Sequence, residues 1–253
     1  MTPTTEGEGT TERFNPSAGY SWYVLAVLLA AYILNFVDRQ VLALVAEDVK
    51  LDMGLTDAQL GWLLGPAFVL FYTIAGIPLA RLADVTSRTR VVAVGLAAWS
   101  IMTAVCGAAQ TFTQLLVARF GVGIGEAAGT PPSHSLISDY FPPEKRATAL
   151  GIYGWGIFVG TGFGFALGGI LLEAFDWRSA FYIAGFVGIP VAILLALTVR
   201  EPPPGASEGI VEEESPPFSR VLRTLFARPS FPCLLYTSPS PRDVEESRMP
   251  SSA

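Results

Sequence analysis

An all-α membrane protein, built as a bundle of six transmembrane helices, is the fold class that this sequence predicts. Three observations carry it. Of the 253 residues, 51% are hydrophobic and 15% charged, whereas ordinary soluble domains carry about 25% charged residues. Apolar runs recur at the length needed to cross a hydrocarbon core about 30 Å thick, roughly 20 residues each. The segments between runs then alternate in charge. With the N-terminus inside, one side holds Arg13, Arg81, Arg88, Arg90, Lys145, Arg146, Arg200, Arg220, Arg223 and Arg228, and the other only Lys50 and Arg178. That asymmetry is the positive-inside pattern.

Residues 1–20 are polar and hold Glu6, Glu8 and Glu12, the wrong charge for a cleaved signal peptide; they are expected to be a cytoplasmic tail. The predicted spans are Trp22–Val45, Asp57–Leu79, Val91–Ala109, Phe112–Ile137, Ala147–Leu172 and Trp177–Thr198, which together make residues 21–200 a six-helix unit. Thr56 or Asp57 can cap the second span. Prolines after Glu201 close the sixth. Residues 201–232 read as a central cytoplasmic linker rich in Pro, Gly and Glu, leading through "SRVLRTLFARPSF" into an interfacial segment where the chain is cut short.

The stretch "AYILNFVDRQVLALV" places Asp38 and Arg39 inside the first apolar run. An intramembrane charge costs at least about 2.5 to 3.5 kcal/mol at a helix centre, so such residues face a bundle interior and mark function. Tyr32 and Asn35 add polar groups on the same side of that helix. In the fourth span Arg119 and Glu126 lie two turns apart on one face. The first span runs outward and the fourth inward, so Asp38, seven residues before Val45, and Arg119, seven after Phe112, fall at similar depth. This predicts that Asp38 pairs with Arg119 and that Arg39 reaches toward Glu126, four charges summing to zero. Burial favours the neutral form of an acid and a guanidinium the charged form. The two carboxyl groups are therefore candidates for substrate or proton coupling.

"ARLADVTSRTR" (80–90) resembles the cytoplasmic loop motif of the major facilitator superfamily, with Ala80 and Ser87 where the family has glycine. "ARFGVGIGEAAGTPPSHSLISDYFPPEKRATA" (118–149) and "NFVDRQ" resemble the fourth and first spans of Spinster-like members. The resemblance implies that the chain is the N-terminal half of such a transporter. It also implies that Asp84, Arg88, Arg90, Asp139 and Arg146 form a cytoplasmic gate, and that the solute is small and organic or lipid-like. A missing C-terminal half would complete the cavity.

Other chemistry finds little support. Gly121, Gly125 and Gly129, and Gly156, Gly160, Gly164 and Gly168, recur every fourth residue, a stripe for close helix contact. As phosphate loops they would need a preceding strand. His134 is the single histidine and has no nucleophile or metal partner in the sequence, so a polar contact at the cytoplasmic end of the fourth span is expected of it. Cys106 and Cys233 form no metal or disulfide pattern. No cofactor, metal or nucleic acid is implied, nor an enzyme, for want of a nucleophile, base and oxyanion set.

Residues 233–253 form a separate case. "CLLYTSPSPRD" and "SRMPSSA" resemble the in-frame translation of a transposase-based sequencing adapter, and this segment is excluded from fold reasoning. The genomic frame is expected to continue past Pro232 into further spans.

The reading is a multi-pass protein of a bacterial inner membrane that moves its solute by alternating access, with protons as candidate coupling ion. Two alternatives remain open. One is an organic-anion symporter in which Arg39 and Arg119 clamp a carboxylate; the other is a non-transporting membrane sensor on the same fold.

Overall fold

The computed structural model describes residues 16–203, 205, 206, 224 and 227. The N-terminal tail as far as residue 15, nearly all of the linker beyond 206 and the adapter-like 233–253 lie outside the described residues. The chain divides into two units, 1–211 and 212–253, and every helix below lies in the first.

Among the described residues the helices are α1 (Ala18–Leu44), α2 (Ala46–Met53), α3 (Asp57–Leu64), α4 (Pro66–Val85), α5 (Arg88–Ala108), α6 (Phe112–Ala127), α7 (Thr130–Tyr140), α8 (Pro143–Gly154), α9 (Gly156–Ala174) and α10 (Trp177–Thr198). Their starts follow local chemistry. Ser17, Thr56, Ser87, Thr111 and Asp176 each accept a backbone N–H at a helix start, satisfying donors that have no carbonyl one turn back. At α3 the cap is Thr56, with Gln59 answering in a capping box. Gly54 ends α2 at φ 62°, a left-handed conformation that glycine adopts without a Cβ penalty.

Three of the six predicted spans are not continuous. The second breaks at Gly65, where Pro66 starts α4, and runs on to Val85 rather than Leu79. The fourth breaks at Ala128 and Gly129 and ends at Tyr140 rather than Ile137. Pro131 and Pro132 supply no N–H to carbonyls of the preceding turn, so the helix has to restart. The fifth starts at Pro143 rather than Ala147 and breaks at Trp155. Spans long and apolar enough to cross a membrane are Ala18–Leu44, Asp57–Val85, Arg88–Ala108, Pro143–Ala166 and Trp177–Thr198. The broken α6–α7 pair, which carries Arg119, Glu126 and Asp139, is not among them.

The surface is rich in exposed apolar side chains, and a few charged ones are buried within a mainly apolar interior. Leu197 is 79% exposed and Phe158 72%, while Arg119 is 3% exposed and Glu126 1%. The most extensive helix contacts are between α5 and α10 and between α1 and α9. The glycines of α9 explain the second. A Cβ at Gly156 would meet Tyr32, at Gly160 the carbonyl of Ile33, at Gly164 Gln40 and at Gly168 Leu44, all within 3 Å. That four-residue stripe is the seam with α1. Gly185 does the same for α10, where a Cβ would lie 2.5 Å from the carbonyl of Ser100. In α6, Gly125 lets the helix approach Trp99 and Gly121 receives Met102.

Candidate functional site

Charges meet at the centre of the bundle, where α1, α4, α5 and α6 converge. Arg39 Nε donates to Glu126 Oε2 at 2.8 Å, with the Glu126 side chain fully buried and that of Arg39 28% exposed. Glu126 sits in the last turn of α6, where the helix dipole disfavours a negative charge. The guanidinium across the bundle offsets this. Three aromatic rings surround Arg39, with Phe36, Phe68 and Tyr72 centroids 5.0, 4.9 and 5.1 Å from its Cζ. Phe68 and Tyr72 are four apart on α4 and so share a face. Rings at these distances attract a cation by their quadrupoles, by up to about 2 kcal/mol each when desolvated.

Asp38 Oδ2 and Arg119 Nη1 are 3.9 Å apart, both buried. This is an ion pair in reach but longer than a hydrogen bond. Asp38 Oδ2, Arg119 Nε and Nη1, and Glu126 Oε1 are buried without a hydrogen-bond partner. Arg119 also lies 5.6 Å from the Phe68 ring, so both guanidiniums lie near that one ring. Buried groups with unfilled valences at such a centre have somewhere to place a proton, a water or a polar solute.

Tyr32 and Asn35 do not join the ion pairs. Tyr32 stacks on Tyr153 at 4.3 Å and 14°, and Asn35 lines a small cavity beside it.

At the opposite end of α5 from Cys106, Arg88 ties α5 to α7 and to the segment that follows α10. It donates from Nη1 to Ser135 Oγ at 2.8 Å and to Asp139 Oδ2, from Nε to Glu201 Oε1 at 2.8 Å, and from Nη2 to the carbonyl of Pro202 at 2.7 Å. A cation in the first turn of a helix is disfavoured by the dipole, and Glu201 compensates by accepting the Thr89 N–H at 2.8 Å and the Ser87 hydroxyl at 2.9 Å. Partial burial works to raise the Glu201 carboxyl, but the Thr89 N–H and the Arg88 guanidinium outweigh it and hold the group below the usual range. The Gly205 N–H reaches Asp139 Oδ1 at 3.1 Å. Tyr20 OH and Tyr140 OH donate to the carbonyls of Thr198 and Arg200. The start of the linker is thus fastened to the bundle.

Of the other residues predicted for a gate, Asp84 is largely exposed and faces Arg81, 3.8 Å away in the next turn, so it does not meet Arg88. Arg90 is exposed and its own N–H donates to Ser87 Oγ. Arg146 sits half-buried in the first turn of α8. The Nδ1 of His134 contacts the carbonyl of Thr130 at 2.9 Å, within its own helix.

Sequence reasoning missed Glu201 and the aromatic ring set around Arg39. An acid directly after the last apolar turn was a usable signal for Glu201. It also missed the knot at the opposite end of α5 from Arg88, in which Asp52 accepts from Trp177 Nε1 at 3.2 Å and Arg178 Nη2 at 3.0 Å, while Arg178 also donates to the carbonyls of Gly107 and Ala109.

Comparison with known proteins follows the same lines. A family model described as Major Facilitator Superfamily matches residues 28–239. An MFS-type efflux pump of Mycolicibacterium smegmatis is 35% identical over 213 residues, 83% of this chain and 48% of that protein. Protein spinster of Drosophila melanogaster is 32% identical over 211 residues, 83% of this chain and 34% of the relative. Among solved structures, a bacterial homolog to the human lysosomal transporter Spinster, inward-facing and unoccupied, aligns with a TM-score of 0.72 and 38% identity, covering 87% of this chain and 52% of that one. The chain spans about half or less of the length of these relatives.

Proposed function

The chain belongs to the major facilitator superfamily, an integral multi-pass membrane family, and from that premise we propose that its full-length form moves a small organic or lipid-like solute by alternating access coupled to protons. The observation that carries the reading is the central pair of ion pairs, Arg39 with Glu126 at 2.8 Å and Asp38 with Arg119 at 3.9 Å. In a low-dielectric interior such groups cost stability unless paired, and a cavity that opens alternately to either side changes both their hydration and their pairing. An acid can then take up a proton in one state and release it in the other, whereas arginine stays charged.

The supporting frame is a six-helix half spanning about 21–200, a linker beginning at 201 and a second half that completes the cavity. The positive-inside asymmetry supports a cytoplasmic N-terminus. The bacterial relatives support an inner-membrane location. Arg88, Asp139 and Glu201 serve as the cytoplasmic gate brace, joined in the gate by the exposed Asp84 and Arg90 and the half-buried Arg146.

A second reading, a carboxylate held by arginine, is favoured by one feature: the Arg39 side chain is 28% exposed while the Arg119 side chain is 4% exposed. Reconstituted full-length protein separates the two. An imposed pH gradient drives uptake of an amphiphilic solute on the first reading, and small carboxylates do not compete. Uptake blocked by small carboxylates overturns the first reading in favour of the second.

A further inference from the structure

Leu96, Trp99, Thr103 and Cys106 follow one another along a buried face of α5, at the spacing of a single helical stripe. Three of them are hydrophobic. Thr103, 0% exposed, is the exception. Thr86 and Thr198 each donate to the carbonyl four residues back, the usual outlet for a helical hydroxyl. Thr103 Oγ1 makes no such bond to Trp99. It faces the Asp38 carboxyl instead. Asp38 is six residues from the end of α1 and Thr103 five from the end of α5, and the first and third spans run in parallel, so the two fall at similar depth. Burying a hydroxyl is costly, and valine has the same shape without one.

Asp38 meets titratable groups on its other sides. Arg119 and Glu126 face it from α6 and Arg39 from its own helix, and the Cys106 thiol lies one turn beyond Thr103. Both arginines are donors only, so they serve the ionised acid and offer nothing to its proton. Glu126 is an acid in its own right, with Oε2 taken by Arg39. A hydroxyl both donates and accepts. We propose that Thr103 is a positioning residue for Asp38, whose hydroxyl donates to the carboxylate and turns to accept from the carboxylic acid. Asp38 then keeps its place opposite Arg119 while its charge changes. The proton comes from water and returns to it; Thr103 gains and loses none. Asp38 Oδ2 and Thr103 Oγ1 each lack a closed bond, and Arg119 Nη1 stands 3.9 Å from that carboxyl oxygen, so the carboxyl has room to turn between guanidinium and hydroxyl. This role rests on the reading of Asp38 as an acid that takes up a proton.

Infrared difference spectra of the full-length protein in liposomes, recorded across a pH step, test the assignment. A carboxylic acid C=O absorbs at lower frequency when the group is hydrogen-bonded, and the band lost in Asp38→Asn identifies Asp38. Thr103→Val, which keeps the shape and removes the hydroxyl, is expected to move that band to higher frequency. Thr103→Ser is expected to return it to its place in the unaltered protein. Flux driven by a fixed pH gradient gives a second readout. The hydrogen bond to the charged form is the stronger one, so without it the acid holds its proton more tightly. Half-maximal flux in Thr103→Val is expected to move toward higher pH by about half a unit, about threefold in proton affinity, and Thr103→Ser to reverse the shift. An Asp38 band that Thr103→Val leaves in place overturns the proposal and leaves the coupling reading standing. A pH shift that Thr103→Ser shares with Thr103→Val overturns it too, as an effect of shape. Spectra in which Asp38→Asn removes no band overturn the proposal and the coupling reading together.

Discussion

Arg39→Ala in the full-length protein abolishes both gradient-driven flux and solute exchange and lowers thermal stability, the largest functional effect expected of any single change. It removes the Nε bond to Glu126 and leaves that carboxylate buried without its counter-charge. Breaking one side of a buried pair costs about 3 to 5 kcal/mol. The three rings around the guanidinium also lose their cation. Arg39→Lys is a partial rescue, since it restores charge but not the planar face that lies against the rings. Flux in proteoliposomes and unfolding in detergent check both parts. Full activity in Arg39→Ala would mean that the Arg39–Glu126 pair is dispensable.

Gly185→Ala produces the largest loss of stability expected from a single methyl group. Its Cβ would lie 2.5 Å from the Ser100 carbonyl, 2.8 Å from the Ala104 amide nitrogen and 3.0 Å from the Ala104 Cβ. Backbone atoms cannot swing aside as a side chain does, so α10 has to move off α5. Overpacking of this kind costs about 1 to 3 kcal/mol. Gly162 offers the control, because a Cβ there meets nothing within 4 Å; Gly162→Ala is expected to stay within about 1 kcal/mol of the unaltered protein. Melting curves for the two variants check the difference, and equal melting would contradict the packing account.

The sequence was most legible where a rule depends on position along one axis. Depth in the membrane, counted from span ends, set Asp38 level with Arg119, and they do face each other. The four-residue spacing of glycines marked a seam in α9, although which helix it meets is a tertiary fact that spacing alone does not contain. Breaks were harder. Gly65 and Gly129 stand in apolar runs where glycine serves equally as a contact surface or a stop, and only the prolines that follow decide for the second. Least legible were bonds closed by long loops. Arg88 and Glu201 are 113 positions apart, and although an acid directly after the last apolar turn was a signal in itself, nothing local names α5 as the helix it caps. Asp84 shows the same limit from the other direction: the motif places it in a gate network between two halves, and within this half it lies exposed near Arg81.

The central claim is that Asp38 and Glu126 are working acids rather than packing groups. Full-length Glu126→Gln and Asp38→Asn variants, alone and combined, are reconstituted in proteoliposomes, and solute movement is measured with and without an imposed pH gradient. The account predicts that each neutralisation abolishes flux driven by the gradient while exchange in its absence survives, because the amide keeps the shape of the site but cannot carry the proton. Gradient-driven flux that survives in the double variant would contradict it, and would leave the four charges as a structural cluster.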